Sequence, residues 1–103
     1  MKFQTHNEVD VNCIGTSFQG YLDISYDDLC SIFGQPFDGS YKVDKEWELL
    51  FEDGVVATIY NYKDGVNYLG DEEGIPFELI RDWHVGGFDK RSVERIVFEI
   101  KNK

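Results

Sequence analysis

The run Trp47-Glu48-Leu49-Leu50-Phe51-Glu52 is followed by Asp53-Gly54 and then by Val55-Val56-Ala57-Thr58-Ile59-Tyr60. No other stretch constrains the fold as strongly. Two runs rich in aromatic and β-branched residues, joined by Asp-Gly, predict a β-hairpin with a two-residue type I′ turn. That register pairs Phe51 with Val56, Leu49 with Thr58 and Trp47 with Tyr60. It places Trp47, Leu49, Phe51, Val56, Tyr60 and Tyr62 on one face, the expected core face. Glu46, Glu48 and Glu52 fall on the other, across from Asn61, Ile59 and Val55. A slip of one residue would exchange the faces.

The other elements are expected around this hairpin. Residues 1–8 read as a loose arm, as chain termini commonly do. Val9, Val11 and Cys13 alternate with polar residues, a short strand pattern. Gly15-Thr16-Ser17 reads as a turn, and Phe18, Leu22 and Ile24 as one face of a second strand. Ser25 is a suitable helix N-cap, with Asp27 and Asp28 in the first turn. Leu29, Ile32 and Phe33 form an apolar stripe that Gly34 and Pro36 terminate. Residues 63–76 read as a long, turn-rich loop. Phe77, Leu79 and Ile80 read as a single turn or a short strand. Trp83-His84-Val85 reads as a last strand ending at Gly86-Gly87. Asp89 caps a final helix carrying Val93, Ile96, Val97 and Ile100. One domain over 1–103 follows. Its class is α+β, an antiparallel sheet of about four to five strands with two helices packed on one face.

Charge limits the partners. Twenty acids oppose ten Lys and Arg in 103 residues, a formal net charge of −10. Residues 1–80 carry −12 and residues 81–103 carry +2. Such a body repels phosphate backbones and anionic lipid, so direct nucleic-acid and membrane binding are not expected. No run reaches the ~18 apolar residues of a membrane span. Met1–Asp10 is polar, without the apolar core of a signal peptide, so an intracellular protein is expected. An acidic surface fits a partner with a basic one. The expected partner-binding residues are Glu46, Glu48, Glu52 and Asp53 on the hairpin, with Asp71, Glu72 and Glu73 in the loop.

Catalytic motifs are missing. His6 and His84 are far apart in sequence, and no HExxH, Cys-x-x-Cys or His-x-His spacing occurs. The acids Asp71, Glu72, Glu73 and Glu78 lack an EF-hand pattern. Gly15-Thr16-Ser17-Phe18-Gln19-Gly20 has the wrong spacing for a nucleophile elbow. Cys13 and Cys30 read as small buried hydrophobes. No enzyme, metal or cofactor is expected. A second reading uses the polar-aromatic residues as a nucleotide or metabolite site: Lys63, Asn67, Tyr68, His84, Gly86 and Gly87, with a ring stacking on a base and Lys63 meeting phosphate. Tyr60 and Trp83 are read as core rather than site, because aromatic strand residues usually pack.

Several strings are familiar together: Gly15-Thr16-Ser17 with Gly20-Tyr21, Ser25-Tyr26-Asp27-Asp28-Leu29, Phe33-Gly34-Gln35-Pro36, Glu46-Trp47 through Tyr62-Lys63, and Asp82-Trp83-His84-Val85-Gly86-Gly87. Over residues 15–87 the chain resembles a group of small phage and prophage proteins without an assigned biochemical role. The resemblance implies a phage accessory protein in the bacterial cytoplasm. It also implies a non-enzymatic inhibitor of a host or antiviral-defence protein, and it carries over no site residues. The number of aromatic side chains leaves a homodimer open.

Overall fold

The computed structural model describes residues 2–103, and the fold is α+β. Its strands are β1 (Phe3–Thr5), β2 (Ser17–Asp23), β3 (Phe37–Asp38), β4 (Lys45–Phe51), β5 (Val56–Tyr60) and β6 (Asp82–Gly87). The helices are α1 (Tyr26–Phe33), α2 (Val66–Glu73) and α3 (Arg91–Lys101), and a 3-10 turn spans Phe77–Leu79. All strand pairs are antiparallel, in the order β1-β4-β5-β6-β2. The two-residue β3 shares the β4 edge with β1.

The hairpin forms, but one residue out of the expected register. Glu46 pairs with Tyr60, Trp47 with Ile59 and Leu49 with Ala57. The turn explains the shift. Gly54 N–H donates to Phe51 O, and Phe51 N–H donates to Val55 O, both at 2.9 Å. Glu52, Asp53 and Gly54 therefore make a three-residue loop. Gly54 has φ +88°, whereas Asp53 does not have positive φ. A type I′ turn needs positive φ at both central residues. One glycine supports instead a turn that ends in a left-handed residue. The consequence is large. Ala57 and Ile59 join Trp47, Leu49 and Phe51 in the core, while Val56 and Tyr60 turn to the opposite face with Glu46 and Glu48.

That inner face is dry. Trp47, Leu49, Ile59, Trp83, Val85, Leu29 and Ile96 are fully buried, with Phe33 and Phe51 beside them. Apolar burial of this kind stabilises by about 1.5–3 kcal/mol per large side chain. Both indoles satisfy their N–H groups. Trp47 donates to Gly34 O at 2.8 Å, and Trp83 donates to Ile24 O at 3.1 Å. Helix α1 begins as expected, with Ser25 Oγ accepting from Asp28 N–H at 3.1 Å. Helix α3 lies across β5, β6 and β2, and buries the Ile96 side of its stripe. Asp89 accepts from Arg91 N–H at 2.9 Å, so it caps α3 although the regular turns start two residues later. At Gly87 the backbone meets α3: a Cβ there would lie 1.7 Å from Ser92 Oγ.

Three other expectations change. Of the expected arm at 1–8, Met1 lies outside the described residues. Phe3–Thr5 is not loose but pairs with β4, because Phe3 packs on Phe33 and Phe51 at ring distances of 5.4 and 5.7 Å. Val9, Val11 and Cys13 form no strand, since β4 already has β1 at that edge. The long loop at 64–74 contains α2, broken at Gly70 (φ 87°) and without a buried side chain. A polar knot ties it down. Buried Asn61 accepts from Asp44 N–H and Lys45 N–H, and donates to Asp44 Oδ1 and Asp64 Oδ1. Asp44 Oδ2 then accepts from Asn67 N–H at 3.2 Å.

Candidate functional site

The outer face of the sheet has no helix on it. A bulge makes its aromatic surface. On β2 the register slips between Phe18 and Gly20, so Phe18 pairs with Gly86 and Tyr21 pairs with His84. Without the slip, Phe18 would join Leu22 on the inner face, as alternation predicted. With it, Phe18 and Tyr21 stand on the same side, ring centroids 4.8 Å apart. His84 sits at the centre. Its ring lies 5.3 Å from Phe18, 5.0 Å from Tyr21, 5.4 Å from Tyr60 and 5.7 Å from Tyr62. These five residues line a cavity of about 430 Å³. The rings remain open to water: Phe18 is 48%, Tyr21 65% and Tyr62 41% exposed.

A second cavity of about 230 Å³ adjoins this bowl and shares Phe18, Tyr60 and Tyr62 with it. Its wall also includes Glu46, Cys13, Thr58 and Val43. Glu46 is half-buried there, directly across from Tyr60. Burial, and then the neighbouring charge of Glu48, push its carboxyl up to about 7. Burial pushes the Cys13 thiol up to about 12, and Glu48 adds to the effect. A thiol held so far toward its protonated form is a poor nucleophile. Burial and then Glu46 raise the Tyr60 phenol as well. Beyond Glu48, His6 accepts from Glu48 N–H at 3.3 Å through Nδ1, and its ring stands edge-on to Phe37. Among the described residues, its buried Nε2 has no hydrogen-bond partner.

The acidic residues expected to bind a partner do not form one surface. Glu46 and Glu48 lie on the outer face, half-buried. Glu52 and Asp53 are at the hairpin tip, where Arg95 holds Asp53 at 2.7 Å. That contact lowers the Asp53 carboxyl below its ordinary range. Asp71, Glu72 and Glu73 are exposed on α2, past the opposite end of β4. The strand between the two groups spans about 20 Å.

The alternative set is also divided. Lys63 holds its ammonium 5.2 Å from the Tyr62 ring and 5.6 Å from Tyr68, in a left-handed backbone conformation (φ 61°). Asn67 spends its amide on Ser40 O and Val43 O. His84 and Gly86 belong to the outer face, whereas Gly87 faces Ser92 on the other side. Phe18, Tyr21, Tyr60 and Tyr62 are the residues that sequence reasoning left out of the site. For Tyr21, the polar side of the β2 alternation was a usable signal.

Cys13 and Cys30 are free thiols. Among the described residues, no group of three His, Cys, Asp or Glu side chains could hold a metal ion. Among the described residues, no helix is long and apolar enough to cross a membrane. No family model matches the chain, and neither a curated protein nor a solved structure matches it.

Proposed function

We propose that this chain is a non-catalytic binding protein that docks a basic protein surface on the outer face of its sheet. The carrying observation is the exposed ring cluster Phe18, Tyr21, Tyr60, Tyr62 and His84 on a chain of net charge −10. Exposed, clustered aromatic side chains are the usual anchors of a protein interface. The acids on this face, Glu46, Glu48 and Asp82, favour a cationic partner and would speed its approach. The resemblance to phage and prophage proteins adds the expectation of a host or antiviral-defence protein in the bacterial cytoplasm as the target, with inhibition as the outcome.

The test is capture from a bacterial lysate by the wild-type protein and by Tyr21→Ala/Tyr62→Ala, each at low and high salt. A partner held by the wild type, released by salt and lost by the double variant supports the reading. Equal capture by both proteins, or capture indifferent to salt, refutes it. The small-molecule reading rests on Lys63 lying beside the Tyr62 and Tyr68 rings. Native mass spectrometry decides it, through a retained mass of a few hundred daltons that disappears in Lys63→Ala/Tyr68→Ala.

A further inference from the structure

We propose that the outer face is a receptor for one arginine side chain of the partner, with the guanidinium seated among the rings of Phe18, Tyr60 and Tyr62 and its N–H groups directed at Glu46. This inference rests on the reading of the outer face as a basic-protein docking surface, and it names the chemistry of the anchor.

Three observations converge on a cation. First, the bowl and the slot share the rings of Phe18, Tyr60 and Tyr62, so a group entering past the rings reaches the wall that holds Glu46. Aromatic faces attract a cation, and more so as water is removed. Second, Glu46 lacks a counter-charge. Asp23, Asp28, Asp38, Asp53 and Asp89 each have a basic partner within 4 Å, yet among the described residues no such ion pair reaches Glu46 or Glu48. The carboxylates with intramolecular partners are mainly on open surface; among the described residues Glu46, which lines the second cavity, has no such ion pair. A half-buried carboxylate beside a second carboxylate is costly until a positive group arrives. Third, the net charge of −10 disfavours an anion, and a neutral ring would leave Glu46 without a counter-charge.

The shape favours a guanidinium over an ammonium. A guanidinium is planar and weakly hydrated, so it stacks on a ring while its edge donates to a carboxylate. A cavity of about 230 Å³ whose lining includes three aromatic rings and a carboxylate offers partners to both of its surfaces. Lys63, whose ammonium lies over the Tyr62 ring at 5.2 Å from its centroid, would oppose the incoming charge rather than assist it.

The probe is the tripeptide acetyl-Gly-Arg-Gly-amide, titrated into the full chain and followed by NMR of backbone amides and aromatic side chains. The control is the citrulline peptide, which keeps the planar shape and loses the charge. The arginine peptide is expected to shift His84, Tyr21, Tyr60 and Tyr62 at millimolar concentration, and citrulline is expected to leave them unmoved. Glu46→Gln and Tyr62→Ala should each weaken the affinity by about fivefold or more. Lys63→Ala should leave it unchanged or tighten it, whereas a site for phosphate would lose affinity. Spectra of the free variants show whether each is folded, and the exposed Tyr62 can be removed without opening the core. Equal response to citrulline, or unchanged affinity in both Glu46→Gln and Tyr62→Ala, overturns the arginine receptor. The lysate capture by Tyr21→Ala/Tyr62→Ala reads the docking surface independently, so a failed arginine anchor and a failed docking face give different results.

Discussion

Replacing Glu46 by glutamine should stabilise the protein, and should do so more at pH 8 than at pH 5. The carboxyl is half-buried, lies beside Glu48, and sits at about 7 instead of its ordinary 4.5. Below pH 4.5 it is protonated in both the folded and unfolded chain and costs nothing. Between 4.5 and about 7 the unfolded chain releases its proton first, so stability falls as pH rises. Above about 7 both states are ionised and the full penalty stands. The difference between 4.5 and 7 corresponds to roughly 3 kcal/mol. Partial contact with water reduces the expected penalty to about 1–2 kcal/mol. Glutamine keeps the shape and loses the charge. In urea denaturation at pH 8, Glu46→Gln should therefore gain about 1–2 kcal/mol, moving the midpoint by about 1 M at the slope typical of a small domain. At pH 5 the gain should be less than half as large. The carboxylates lowered by their arginine partners, Asp53 and Asp89, respond below their ordinary 3.8 and do not enter this window. An equal gain at both pH values, or a variant less stable at pH 8, would refute the assignment of the penalty to this charge.

Asn61→Ala removes the residue that ties Asp44, Lys45 and Asp64 together, leaving buried polar groups without partners. Its expected cost is about 2–4 kcal/mol, read by urea denaturation, and a loss under about 1 kcal/mol would mean that water replaces the amide. Gly87→Ala drives a methyl into Ser92 and should destabilise by about 1–3 kcal/mol, with Ser92→Gly recovering part of the loss; full stability in the single variant would contradict the close approach of α3 to β6. Cys13 should react with iodoacetamide at pH 8 at least about tenfold more slowly in the folded protein than in urea, since its thiol is held near 12. Alkylation of the native protein at the unfolded rate would show that the thiol is not enclosed.

The elements with strong local signals were legible in the sequence. Ser25, Gly34 and the stripe Leu29-Ile32-Phe33 define α1 through capping and periodicity, which are local. Val93, Ile96, Val97 and Ile100 do the same for α3. The hairpin was legible as a hairpin, but its faces were not. Asp-Gly is compatible with both a two-residue and a three-residue loop, and the choice falls to the core. The observed register buries Ala57 and Ile59, whereas the two-residue loop would have buried Tyr60. The β2 bulge has no local signal in Phe18-Gln19-Gly20. It depends on pairing with β6, more than sixty residues away. Both errors acted on one surface, and for that reason the aromatic site escaped the sequence while its acids, Glu46 and Glu48, did not. Strand β1 was missed because three residues carry little periodicity, and only Phe33 and Phe51 fix Phe3 in place.

The two faces of the sheet differ in how their polar groups are satisfied. The inner face satisfies both tryptophan N–H groups, and Ser92 donates to Val56 O at 2.8 Å. On the outer face, among the described residues, the half-buried Glu46 has no ion pair and His6 Nε2 has no hydrogen-bond partner, and the rings of Phe18, Tyr21 and Tyr62 are exposed. Exposed apolar side chains also occur elsewhere, at Ile14, Leu79, Phe88 and Phe98, so it is the half-buried carboxylate beside exposed rings that sets the outer face apart and supports the proposed binding role. On the proposed reading the occupant is a basic protein, since a second copy would bring its own net charge of −10 to a face that already holds Glu46 beside Glu48. Sedimentation of the purified chain is then expected to show a monomer at high concentration, and a dimer that Tyr21→Ala/Tyr62→Ala abolishes would refute that choice of occupant.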